Sequence, residues 1–254
     1  MDYLKTKESI AMLSAENMSI GYGAGKQIFS GINFSAGAGE MVGLLGVNGI
    51  GKSTLLRTIA GLQQCTGGKL ELNKFNVHAL SAAERAKQIS IVLTEKLVID
   101  NITVRDLIAL GRTPYTGWLG KLSDADEQEV ENVIRVVKIE KLQDRFFNQL
   151  SDGEKQKAII ARALCQQTPL MVLDEPTAFL DFRNKREILD ILKAISNDLK
   201  KTIIFSTHDI EASLEYCNKF WVMTEAGVFR EIKRSENLRA ELMGALSIPN
   251  QPSI

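Results

Sequence analysis

The stretch GVNGIGKST spans residues 46–54, and its reading decides the rest of the chain. It matches G-x-x-x-x-G-K-[ST]. The apolar run MVGLL (41–45) precedes it, and the helical pattern KSTLLRTIAG follows from residue 52. A strand feeding a glycine-rich turn that opens a helix is the context in which this pattern cradles phosphate. Gly46, Gly49 and Gly51 let the backbone bring N–H groups close to an anion, and the helix N-terminus adds partial positive charge. The candidate nucleotide contacts are Gly46, Val47, Asn48, Gly49, Ile50, Gly51, Lys52, Ser53 and Thr54. Lys52 would reach the β/γ-phosphates, and the Ser53 hydroxyl would hold Mg²⁺.

A second segment, PLMVLDEPTAFLD (169–181), places four apolar residues before Asp174 and Glu175. Asp174, at a strand tip, is positioned for the water shell of Mg²⁺. Glu175 is positioned to orient or deprotonate a water attacking the γ-phosphate. A third, TIIFSTHDI (202–210), sets His208 just beyond another apolar run, at the sheet edge where α/β proteins bind ligands. His208 is expected to contact the γ-phosphate and to hold Glu175 and the water. The other histidine, His78, lies in a polar stretch and reads as structural.

The apolar runs at 41–45, 89–93, 170–173, 202–206 and 220–223 read as strands buried on both faces. Helical patterns separate several of them, which predicts an α/β fold with a mainly parallel sheet. Residues 12–45 read instead as strands joined by the glycine-rich turns GYGAG and SAGAGE, an antiparallel piece leading into the core. From Thr103 to about Arg145 the pattern is helical. Val130, Val133, Ile134 and Val137 follow the helical period, with Ser123 as N-cap. The loop GRTPYTGWLGKL (111–122) carries Tyr115 and Trp118, either as a packed turn or as a docking surface.

Lys+Arg and Asp+Glu number 31 each, so net charge gives no argument for nucleic acid as the main partner. Cys65, Cys165 and Cys217 are odd in number and lack metal spacing, which suits reduced thiols. The start, MDYLKTKES, lacks the apolar region of a signal peptide, and no apolar run approaches the roughly 20 residues of a membrane helix. A guanine-reading N-K-x-D is missing: the nearest string, NKFN at 73–76, has no Asp.

Together these segments resemble the ATP-binding cassette (ABC) ATPases. GVNGIGKS is similar to their Walker A and LMVLDEP to their Walker B. LSDGE (150–154) is similar to their LSGGQ signature, AFLD (Ala178, Phe179, Leu180, Asp181) to their D-loop, and His208 to their switch histidine. Tyr22 stands where the family places an aromatic on adenine. The stretch beginning LGRTPY resembles the helical subdomain of iron-chelate, haem and cobalamin importers' ATPases. Two departures stand out. Glu95 takes the place of the Q-loop Gln, as a possible ligand of Mg²⁺ or a water. The signature carries Asp152 and Glu154 in place of Gly and Gln.

The resemblance implies a P-loop NTPase core with an N-terminal antiparallel β subdomain and an inserted helical subdomain at about 100–166. It implies one domain over 12–232, then a C-terminal helix and tail at 233–254, without a regulatory domain. It also implies a homodimer that sandwiches ATP and Mg²⁺, each P-loop facing the partner's Ser151, Asp152, Gly153 and Glu154 across the D-loops. Integral membrane permease subunits and an extracytoplasmic substrate-binding protein would complete an importer. The chain would then sit at the cytoplasmic face of the cell membrane. A non-transport cassette ATPase of a soluble assembly, translation or repair complex is the alternative. Within the signature, Ser151 and Glu154 form S-x-x-E, a capping box. Asp152 is expected to point away from phosphate and offer only backbone.

Overall fold

A computed structural model describes residues 12–22, 26–94, 99–118 and 120–246. In chain order the first elements are β1 (Leu13–Tyr22), β2 (Lys26–Ala36), β3 (Met41–Leu45), α1 (Lys52–Ile59), β4 (Gly67–Leu72) and β5 (Phe75–Asn76). Next come α2 (Ala82–Ala86), β6 (Ile89–Val92), α3 (Val104–Ala109), α4 (Asp124–Val137), α5 (Asp152–Cys165) and β7 (Leu170–Leu173). The last are α6 (Phe182–Asp198), β8 (Thr202–Ser206), α7 (Ile210–Leu214), β9 (Lys219–Met223), β10 (Phe229–Lys233) and α8 (Leu238–Leu246).

Two sheets form. The larger has strand order β10-β9-β3-β8-β7-β6, parallel except for β10, which pairs antiparallel with β9. Its central strands β3, β7 and β8 are buried at every position, as a sheet covered on both faces requires. The smaller sheet, β2-β1-β4-β5, is antiparallel. As read, the segment from residue 12 supplies antiparallel strands, β1 and β2, and leads into the core at β3. Residues 67–76 add two further strands that the sequence reading did not include. Asn73 and Lys74, both at positive φ, form the two-residue turn that closes β4 onto β5.

Two apolar cores result. One lies between the larger sheet and the helices α3–α6; the other lies between the two sheets and α1. Val130, Val133, Ile134 and Val137 line one face of α4 and join the first core. Ser123 caps that helix, accepting from the Asp126 backbone N–H while the Asp126 carboxylate accepts from Ser123. No helix among the described residues is long and apolar enough to cross a membrane.

Candidate active site

Strands β3, β8, β7 and β6 are adjacent and parallel, so their C-terminal ends share one edge. Such an edge is where open α/β sheets bind ligands. Residues 46–51 follow β3, Asp174 and Glu175 follow β7, and Thr207 and His208 follow β8. Thr94 follows β6.

The glycine-rich loop is confined by packing. A Cβ at Gly46 would stand 2.8 Å from the Met223 carbonyl oxygen. Gly51, at φ +114°, is the N-cap of α1, and no side chain caps that helix. The first turn has no acidic residue either, so its leading N–H groups remain available to an anion. Lys52 is buried and folds back, its Nζ donating to the carbonyls of Gly46 at 2.8 Å and Val47 at 3.1 Å. Burial lowers the pKa of its ammonium, and the facing carboxylates of Glu175 and Asp174 pull it partly back. A cleft of about 420 Å³ opens beside the loop, bounded by Tyr22, Lys52, Ser53, Thr94 and Glu175. The Tyr22 ring is exposed, and its hydroxyl lies 3.0 Å from Thr54 Oγ1.

Glu175 Oε2 and His208 Nδ1 approach to 3.8 Å. Asp174 is nearly buried, and its backbone is fastened to β6: its N–H donates to Val92, and its carbonyl accepts from Thr94 Oγ1. Ser206 Oγ donates to Asp174 Oδ1 at 2.6 Å. Neither Thr94 nor Ser206 stands out in the sequence, because each reads as the polar end of an apolar strand. Oxygen donors such as Ser53 and Asp174 suit Mg²⁺, which prefers hard ligands. Together with the uncapped helix end, the residues present fit a magnesium–triphosphate ligand. Glu95 lies outside the described residues.

The segment 151–154 does not line this cleft. Ser151 and Glu154 instead form a complete capping box at the start of α5. Asp152 is exposed and Gly153 is buried. Ala178, Phe179, Leu180 and Asp181 lead into α6, where Asp181 is the N-cap, accepting from the Asn184 backbone N–H at 2.8 Å. Phe179, at φ +62°, and Phe182 are both largely exposed.

The two aromatics of loop 111–122 have different surroundings. Tyr115 packs: Arg112 lies 4.1 Å from its ring centre, and its hydroxyl donates to the Gln166 carbonyl. Trp118 is 94% exposed. Arg112 itself is buried, with Nε on Asp126 at 2.8 Å and Nη1 on the Cys165 carbonyl. Arg112 thus ties α4 to the end of α5. The three cysteines are free thiols, and His78 Nε2 accepts from the Cys65 backbone N–H.

The family model described as ABC transporter matches residues 29–178, more than half of the chain. The chain belongs to the ABC transporter family. Within that family it is 33% identical to the Bacillus subtilis protein named "Probable siderophore transport system ATP-binding protein YusV", over 92% of this chain and 85% of that one. It is 36% identical to the petrobactin import ATP-binding protein FpuC of Bacillus anthracis, over 76% of this chain and 71% of that one. Among solved structures it resembles the dimeric ATP-binding cassette MJ0796 in a post-hydrolysis state bound to ADP and Pi. The TM-score is 0.75 and the identity 27%, covering 88% of this chain and 100% of that one. This ABC chain is an ATP-binding and ATP-hydrolysing transporter subunit, with the P-loop ATPase core, antiparallel β subdomain and inserted helices of its class.

Proposed function

We propose that the protein energises an importer of iron-chelate, haem or cobalamin-type cargo, working as a homodimer at the cytoplasmic face of the membrane. The observation that carries the chemical part is convergence: an uncapped helix N-terminus, a buried lysine and Glu175 meet at one cleft, with His208 3.8 Å from Glu175 and Asp174 next to it in the chain. Magnesium ion neutralises phosphate charge in such reactions; Ser53 and Asp174 would hold it, with Glu95 as a further candidate. Lys52 would exchange its loop carbonyls for phosphate oxygens. Tyr22 would stack on the base. Glu175 would take the proton of the attacking water, and His208 would keep Glu175 and that water aligned. The loop 151–154, which does not line the chain's own cleft, would meet the nucleotide of a second copy. The dimeric state of MJ0796 supports this.

Membrane permease subunits, fed by an extracytoplasmic binding protein, would complete the transporter. A groove of about 410 Å³ beside Arg85 and Pro114 exposes Leu62 and Leu110 and suits an apolar segment of such a subunit. The siderophore and petrobactin names of the two relatives support the cargo class.

Glu175→Gln tests the chemistry. The variant should bind ATP, hydrolyse it very slowly and accumulate as an ATP-bound dimer in size-exclusion chromatography. Wild-type turnover would remove Glu175 as the base. Uptake of radiolabelled iron chelate by cells with and without the gene tests the cargo; equal uptake would exclude it.

A further inference from the structure

Ser206 ends β8 and is fully buried between β3 and β7. Its hydroxyl has two contacts, and chemistry fixes their direction. It donates to Asp174 Oδ1 at 2.6 Å, since an ionised carboxylate only accepts. It accepts from the Glu175 backbone N–H at 2.8 Å. One oxygen therefore bridges the two consecutive acidic residues of the site. Glu175 needs such a support, because its φ of +48° lies in the left-handed region that residues with a Cβ avoid. Asp174 is held through its backbone from the β6 side, and Ser206 fixes its carboxylate from the β8 side. Two residues further along β8's exit stands His208, 3.8 Å from Glu175.

We infer that Ser206 is a positioning residue for ATP hydrolysis: it sets the Asp174 carboxylate and holds the Glu175 backbone so that its side chain meets His208 at the cleft. This rests on the reading of Glu175 as base and Asp174 as magnesium holder. Ser206 itself is fully buried and does not line the cleft. A hydroxyl that merely filled space would be replaceable by any group of equal volume. Hydrolysis would then depend on side-chain size and not on the oxygen.

The test compares Ser206→Ala, Ser206→Thr and Ser206→Val in the full chain. Thr and Val have nearly equal volume and differ in the hydroxyl. Steady-state ATPase and fluorescent-ATP binding are read together, with thermal unfolding as a control for packing. Ser206→Ala and Ser206→Val should lose about tenfold in kcat, the scale of one well-placed hydrogen bond. ATP affinity measured in the absence of Mg²⁺ should stay within about twofold, since Asp174 acts on nucleotide only through the metal and Glu175 only in the hydrolytic step. Ser206→Thr should recover most of the rate. Equal losses in Thr and Val, wild-type turnover in Ala, or a loss of affinity that matches the loss of kcat would each overturn the proposal. Glu175→Gln, assayed alongside, separates the two levels. If it is inert while Ser206→Ala is fully active, only the role of Ser206 fails. If Glu175→Gln is active, the reading beneath it fails.

Discussion

Ser151 and Glu154 satisfy each other at the start of α5. The Ser151 hydroxyl accepts from the Glu154 backbone N–H, and the Glu154 carboxylate accepts from the Ser151 backbone N–H at 2.9 Å and from its hydroxyl at 2.8 Å. This explains an acidic residue inside a loop proposed to face phosphate: its charge is turned back onto the helix end. Those bonds hold the Glu154 pKa below its ordinary 4.5. The cap's contribution is therefore present above that value and is lost as pH falls through the lower folded one. Ser151→Ala should cost about 1 kcal/mol in urea unfolding at neutral pH. Ser151→Arg should bind ATP at the P-loop yet lose cooperative hydrolysis, because the long cation blocks dimer closure. Asp152→Gly should keep its ATPase rate, since its exposed side chain takes no part in the capping box. Full cooperative activity in Ser151→Arg would mean that this loop does not face ATP across a dimer.

Gly153 carries a different constraint. A Cβ there would stand 2.7 Å from Asn184 Cγ, and Asn184 is clamped by Asp181 through both its backbone N–H and its side-chain amide. The signature and D-loop segments are thus in contact through one side chain. Gly153→Ala should displace both and lower ATPase activity severalfold, while nucleotide binding at the cleft stays unchanged. Trimming the obstacle with Asn184→Ser in the same chain should restore part of the rate. Independent, additive losses in the two variants would show that the contact does not couple the segments.

The sequence is most readable where a residue's chemistry and its period agree. The strand–turn–helix around Lys52 and the apolar runs before Asp174 and His208 correspond directly to β3, β7 and β8. The strands at 67–76 were harder to read, because GGKLELNKFN alternates instead of forming a continuous apolar run. Leu70 and Leu72 are buried, while Lys69 is exposed. That alternation, with Asn-Lys as the turn, was the available signal. Ser206 gave none: its meaning depends on β7 lying beside β8, a non-local pairing that no local pattern reveals. Arg112 was visible only as part of a motif, because its partners Asp126 and Cys165 come from separate helices.

The thiols offer an independent check of the cores. Burial pushes the Cys165 pKa up to about 12 and raises that of Cys217 as well, so neither is a thiolate at neutral pH. Cys65 is half-buried on the antiparallel side. A mild aromatic disulfide reagent at pH 8 should modify Cys65 alone in the native protein and all three thiols in denaturant, as read by intact mass. Rapid labelling of Cys165 or Cys217 in the folded chain would contradict the packing around α5 or β9.

Arg112 and Asp126 form a buried ion pair whose other bonds are also satisfied. Arg112 reaches the Cys165 carbonyl and Gln167 Oε1, each at 2.9 Å, and Asp126 accepts from both groups of Ser123. Removing one partner would strand the other charge inside the helical region, which costs about 3–5 kcal/mol. Arg112→Met and Asp126→Asn should therefore both unfold at markedly lower urea, and the double variant should lose less than the sum of the two. The pH dependence has a definite sign. The Ser123 hydroxyl and N–H first, and then Arg112, hold the Asp126 pKa down at about 2, against an ordinary 3.8. The stabilisation is therefore fully present above 3.8 and disappears as pH falls through about 2. The stability gap between wild type and Asp126→Asn should be constant from pH 7 to pH 5 and narrow below pH 4, as followed by urea titration at each pH. A gap that stayed constant down to pH 2, or that was absent at pH 7, would show that this pair does not hold α4 to α5.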